Sequence, residues 1–139
     1  MTLRVVTAAA VLVSAAVHLY LWFDGYRDDD FLGPSFMLNA VGGAVVAALV
    51  LFWRHWIPPF LAIGFGFSTL GGFVLSTTIG LFGVKSTWDG WEVWTAAAAE
   101  VVAIVAGAAL LLQVLAANRT TGSGASSQHD SAARRAHLH

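Results

Sequence analysis

The chain has 139 residues, of which 58% are hydrophobic and only 11% charged, with a net charge of −1 and no cysteine. A domain this small buries the smallest fraction of its surface, so a water-soluble fold could not hide so much apolar area. The missing cysteines exclude disulfides, thiol redox chemistry, cysteine-ligated zinc and iron–sulfur clusters. Near-neutral charge without a basic patch excludes nucleic-acid binding.

Four apolar runs follow one another, over residues 3–23, 34–53, 58–82 and 93–116. Each has about 20 residues or more, enough to cross roughly 30 Å of hydrocarbon. Backbone groups in lipid must be satisfied internally, and the alternation of a closed barrel is absent, so the runs are predicted to be helices. The fold class is therefore all-α, a four-helix transmembrane bundle over residues 1–116. In the first run, Arg4, an apolar stretch and Ser14-Ala15-Ala16 give the outline of a signal peptide. The run continues through Leu19, Leu21, Trp22 and Phe23, however, and is read as a retained span.

The breaks between runs have matching chemistry. Asp24, Arg27, Asp28, Asp29 and Asp30 cannot sit in hydrocarbon. Pro34 opens the second run, and Pro58 and Pro59 open the third, positions where a missing N–H costs little. Trp22, Trp53, Trp56, Trp88, Trp91 and Trp94 all fall near run ends, as an interfacial aromatic belt requires. Arg4, Arg54, Arg119, Arg134 and Arg135 lie on one side of the four spans, and Arg27 and Lys85 on the other. The positive-inside rule then predicts both termini and the Trp53–Pro59 turn in the cytoplasm and two acidic loops outside. Residues 117–139 are rich in Ser, Thr, Gly and Ala and predict a disordered cytoplasmic tail. Its His129, His137 and His139 are read as solvated rather than metal-binding.

Small residues recur on each run. In lipid, helices associate where small side chains let backbones approach. Gly64, Ser68, Gly72, Ser76 and Gly80 recur every fourth residue on the third run, Asn39, Gly43 and Ala47 on the second, and Ala103 and Gly107 follow Glu100 on the fourth. The first carries Thr7, Ala10, Ser14 and His18. All are expected to face the bundle interior as packing stripes.

Polar groups sit at one depth along these stripes. His18, Asn39, Ser76, Thr77 and Glu100 each fall roughly 7–11 Å inside the acidic-loop end of their spans. Ionisable groups inside spans are costly and usually face the interior. Glu100 is expected within direct or one-water reach of His18 or Asn39. In one reading the cluster is structural and fixes helix register. In the other it lines an outward-opening cavity, with Glu100 or His18 exchanging a proton or holding a ligand. Only His18 lies within a span, so a bis-histidine haem within one chain is not expected, and His18 with Glu100 falls short of a metal site. No catalytic residue, metal or cofactor is expected.

The segments His18-Leu19-Tyr20-Leu21-Trp22, Gly25-Tyr26-Arg27 and Leu32-Gly33-Pro34-Ser35-Phe36-Met37-Leu38-Asn39 resemble small four-span membrane proteins of high-GC Gram-positive bacteria. The likeness extends in layout over residues 10–116 and implies a location and a fold, with no chemistry attached. The four-helix layout is also similar to DoxX-like quinone-linked membrane proteins, in architecture alone. A faint internal echo aligns residues 39–51 with residues 100–112.

Three functional expectations follow. The first is a non-enzymatic accessory or interaction subunit with a structural polar cluster. The second is a small proton-coupled transporter, working as an oligomer, with Glu100 as the carrier carboxylate. The third is a membrane subunit of a quinone-linked redox complex whose partner holds the redox centre. The expected partners are the lipid bilayer and a homo-oligomer or larger membrane complex, with no nucleic acid.

Overall fold

The computed structural model describes residues 1–80 and 86–136, with side chains described as far as residue 122. The protein is all-α. Helix α1 spans Thr2–Phe23, α2 Leu32–Phe52, α3 Ile57–Thr78 and α4 Trp91–Ala136, with a short 3-10 turn, η1, at Tyr26–Asp28. All four α-helices are long and apolar enough to cross a membrane. The chain is thus a multi-pass membrane protein built as a four-helix bundle.

The helix ends have local causes. Gly25, Gly80 and Gly90 have φ of 121°, 76° and 96°, the left-handed region that glycine enters without strain, and each lies just outside a helix. At the start of α2, Asp29 Oδ1 accepts the backbone N–H groups of Phe31 (2.9 Å) and Leu32 (2.7 Å). These donors would otherwise be orphaned at a helix N-terminus. Both bonds favour the charged carboxylate, so the Asp29 pKa lies below its ordinary value. A Cβ at Gly33 would meet the Arg27 carbonyl oxygen at 2.5 Å, so the η1–α2 corner is closed by a residue without a side chain. Pro58 and Pro59 lie in the first turn of α3 and are buried there.

Helix α1 packs along α2 on one side and α4 on the other, and α3 packs mainly on α4. Helices α2 and α4 stand at opposite corners, with no close backbone approach among the described residues. The bundle has two unlike halves. Toward the Arg4 end, Ala8, Val11, Ala47, Val50, Ala62 and Ala103 form a closed apolar core. At that end the Arg4 guanidinium is buried and donates to the carbonyls of Val50 (2.8 Å) and Trp53 (3.3 Å). These belong to the C-terminus of α2, where unpaired carbonyls and the helix dipole favour a cation. Arg4 therefore clamps α1 to α2 besides contributing to the charge bias.

The packing stripes are only partly where the four-residue spacing puts them. Gly43 approaches Ala15 and Phe65, and Gly107 approaches Ile63 and Pro59, while Ala47 and Ala103 are buried. On α3 Ser76 is buried, but the stripe as a whole does not form a packing seam. A Cβ at Gly64 or Gly72 would meet nothing within 4 Å, and Gly64 and Ser68 are exposed. Gly80 is not in α3 at all, since the helix ends at Thr78. The residue that brings α3 against α4 is Gly66, where a Cβ would fall 2.7 Å from Ile104 Cγ1 and 2.9 Å from the Glu100 carbonyl oxygen. The reason is geometric. At 3.6 residues per turn, a four-residue step drifts about 40°, so Gly64 and Gly80 would sit about 160° apart on one continuous helix.

The fourth helix also departs from expectation. It does not stop at Ala116 but continues to Ala136, where a disordered tail was expected. The stretch has no apolar face for tertiary burial, but it contains no proline, so the helix can run on with its own backbone hydrogen bonds satisfied. Of the tail histidines, His137 and His139 lie outside the described residues, as does the His129 side chain. The end of the third apolar run, residues 81–82, lies outside them too, together with Lys85.

Candidate functional site

The half of the bundle nearer the acidic turns is open. It holds a cavity of about 800 Å³ whose wall includes His18 of α1, Asn39 of α2, Ser76 of α3 and Glu100 of α4. Four of the five residues singled out from the sequence thus meet around one space. Thr77 does not line it. Its hydroxyl turns back to the Val74 carbonyl of its own helix at 2.9 Å. Ser76 and Thr77 are adjacent, so they point about 100° apart, and only one can face the interior.

Glu100 is 2% exposed, and the Ser14 hydroxyl donates to its Oε1 at 3.0 Å. Ser14 also accepts, through its backbone carbonyl, the Nδ1–H of His18 at 2.8 Å. A carbonyl can only accept, so Nδ1 carries the proton and Nε2 of a neutral ring is an acceptor. The His18 ring stands edge-on to Phe36, with centroids 5.4 Å apart, and Phe36 in turn meets Tyr26 at 5.5 Å. Of the two contacts that the shared depth suggests, direct or through one water, Glu100 makes no direct bond to His18 or Asn39. Ser14 stands between His18 and Glu100.

Asn39 makes a separate link. Its Nδ2 donates to Thr69 Oγ1 at 2.8 Å, and the Thr69 hydroxyl donates to the Phe65 carbonyl at 2.8 Å. Since the Thr69 proton is committed, Thr69 can only accept from Asn39, which orients the amide. Asn39 Oδ1 is left buried without a hydrogen-bond partner. At the cavity rim, Ser76 Oγ lies 2.9 Å from Ser86 Oγ and accepts the Ser86 N–H at 3.2 Å, tying the segment before α4 to the end of α3.

Sequence reasoning missed Thr69 and gave Ser14 only a packing role. Both were detectable. Ser14 is four residues before His18, one turn away on the same face, and Thr69 is seven residues before Ser76, two turns away. Neither is ionisable, and a search for charge in the spans passes over hydroxyls. On α3 the stripe residues Ser68 and Gly72 face this cavity rather than a neighbouring helix.

The described wall is electrostatically one-sided. Asp24, Asp89, Glu92 and Glu100 line the cavity, and no Lys or Arg is among the described lining residues. The nearby Arg27 is engaged elsewhere, 3.6 Å from Asp28 and 5.7 Å from the centre of the Trp22 ring. Phe31, Phe36, Phe65 and Phe73 supply apolar surface. Trp88 packs edge-on against Phe73 at 4.7 Å and tilts on Trp94 at 5.2 Å, forming an aromatic collar at this end. Among the described residues no three His, Asp or Glu side chains converge as a metal site. No family model, no curated protein and no solved structure matches this chain.

Proposed function

We propose that this chain is a bacterial plasma-membrane protein with both termini in the cytoplasm, whose cavity opens to the outside and brings a small ligand to Glu100. One observation carries the reading: a buried carboxylate and a buried, unpartnered amide oxygen both belong to residues on the wall of an 800 Å³ cavity. Purely structural polar clusters close on themselves, because each unpaired buried group costs free energy. Here the cluster surrounds space, of a size typical for small-ligand pockets. The role is binding or carriage rather than a chemical conversion. The closed core on the Arg4 side fits a carrier seen with one side shut, and carriage would use Glu100 as its charged group. The orientation is supported by the Lys/Arg bias, and by Arg4 and the Trp53 turn sharing the end opposite the acidic turns.

The second reading, an interaction subunit with a structural cluster, is favoured by the Ser14–Glu100 bond, which fastens α1 to α4. Thiol labelling separates the two. The chain has no cysteine, so a single one at Gly72, on the cavity wall with room for a side chain, reports on that wall alone. In intact cells Gly72→Cys is expected to react with an impermeant thiol reagent, and Phe67→Cys, on the exposed outer surface of α3, is not. Equal inertness of both, from either side of the membrane, would leave only the structural reading. Labelling of Gly72→Cys in inverted membranes alone would keep the cavity and reverse the orientation.

A further inference from the structure

We propose that the ligand of this cavity is a small organic ammonium ion, held by its N–H groups against Glu100 with its apolar body among the phenylalanine rings. The inference deepens the ligand-cavity reading above and rests on it. Its basis is the balance of donors and acceptors at the deep end of the site.

Most of the deep donors are spent. The Ser14 hydroxyl is used on Glu100, the His18 Nδ1–H on the Ser14 carbonyl, and the Thr69 hydroxyl on the Phe65 carbonyl. One Asn39 N–H is used on Thr69. Acceptors remain. Kept ionised by a cationic guest beside it, the Glu100 carboxylate would offer about four lone-pair sites, and Ser14 fills one of them. Asn39 Oδ1 has no partner but lies buried behind the cavity surface. His18 Nε2 is an acceptor in the neutral ring, because Nδ1 holds the proton. A guest that donates several hydrogen bonds answers this wall, and one that mainly accepts them does not.

Charge selects further. Four carboxylates and no Lys or Arg line the described wall, so a cation gains where an anion is repelled. An ammonium ion also gains from the faces of aromatic rings, which a neutral alcohol does not. The rings of Phe36, Phe65 and Phe73 lie on the same wall as Glu100. A compact cation with an apolar body satisfies both sets of contacts.

The test uses the full chain in lipid nanodiscs at neutral pH and three probes with one shared body: 2-phenylethylammonium, 2-phenylethanol and phenylacetate. Calorimetric titration is expected to give ammonium affinity about tenfold or more above the alcohol, with no binding of the carboxylate. Glu100→Gln, which keeps an acceptor for Ser14, is expected to lower ammonium affinity about tenfold or more and leave the alcohol unchanged. If the alcohol or phenylacetate binds as well as the ammonium, the ligand class is wrong while the cavity stands. If none of the three binds although Gly72→Cys labels from outside, the ammonium assignment is again overturned and the open cavity is not. If Gly72→Cys is inert from both sides, the cavity reading itself falls. Should Glu100→Gln fail to fold, the ranking of the three probes on the native chain decides alone.

Discussion

The Ser14 hydroxyl reaches across from α1 to donate to Glu100 Oε1 on α4 at 3.0 Å, and this bond links residues 86 positions apart at the floor of the cavity. The same Ser14 receives the His18 Nδ1–H through its carbonyl. One small residue thereby positions both His18 and Glu100, and removing its hydroxyl should affect each differently. The His18 bond uses the backbone and survives. The Glu100 bond uses the side chain and is lost.

Ser14→Ala is therefore expected to destabilise the bundle by about 1–2 kcal/mol, the cost of leaving a buried acceptor short of a donor in a setting where competing partners soften the loss. A thermal melt in detergent measures it. An unchanged midpoint would mean that the bond contributes nothing to holding α1 against α4.

Two glycines on one helix should behave in opposite ways. Gly66→Ala puts a Cβ against Ile104 and the Glu100 backbone, forcing α3 from α4 at an expected cost of about 1–3 kcal/mol. Gly72→Ala meets open space and lowers the entropy of the unfolded helix, so it is expected to be neutral or stabilising by up to about 1 kcal/mol. Paired melts check the order. Equal loss from the two changes would contradict the assignment of Gly66 as the contact point.

Arg4→Met should release the C-terminus of α2. The Val50 and Trp53 carbonyls lose their cation, and about 1–3 kcal/mol is expected to be lost. The local signature is faster hydrogen exchange at the Trp53 amide, which bonds the Leu49 carbonyl in the last turn. Undisturbed Trp53 protection would show that the clamp is dispensable.

Asp29 supplies a pH dependence whose sign is determined by its backbone donors. Its folded pKa is depressed, so its stabilisation of the α2 N-terminus is fully present above the ordinary value of 3.8 and fades as pH falls through the depressed folded value. The Phe31 and Leu32 amide resonances should titrate with a midpoint below 3.8, and Asp29→Asn should abolish that titration. A midpoint at or above the ordinary value would remove the capping role.

The proposed topology has its own check. Single cysteines at Asp29 and Asp89 should react with an impermeant reagent in intact cells, and one at Arg54 should not. The Lys/Arg bias over an even number of spans makes this forecast, and labelling confined to Arg54 would invert it.

Much of this architecture is legible in the residues themselves, for a physical reason. Span length and number depend on apolar run length against a hydrocarbon core of known thickness, a one-dimensional property. The helix starts likewise follow from local chemistry: Pro34, Pro58 and Pro59 within first turns, and acidic residues where the chain must leave lipid. His18, Asn39, Ser76 and Glu100 could be placed at one depth, because depth is sequence distance multiplied by helical rise. Tertiary structure decided what depth cannot, namely the direction each side chain faces and what stands opposite. It turned Thr77 back on its own helix, put Ser14 between His18 and Glu100, and joined Asn39 to Thr69. It also made Gly66 the α3–α4 contact and left Gly72 facing a cavity, because four-residue spacing drifts around a helix and only the crossing of real helices selects the buried face.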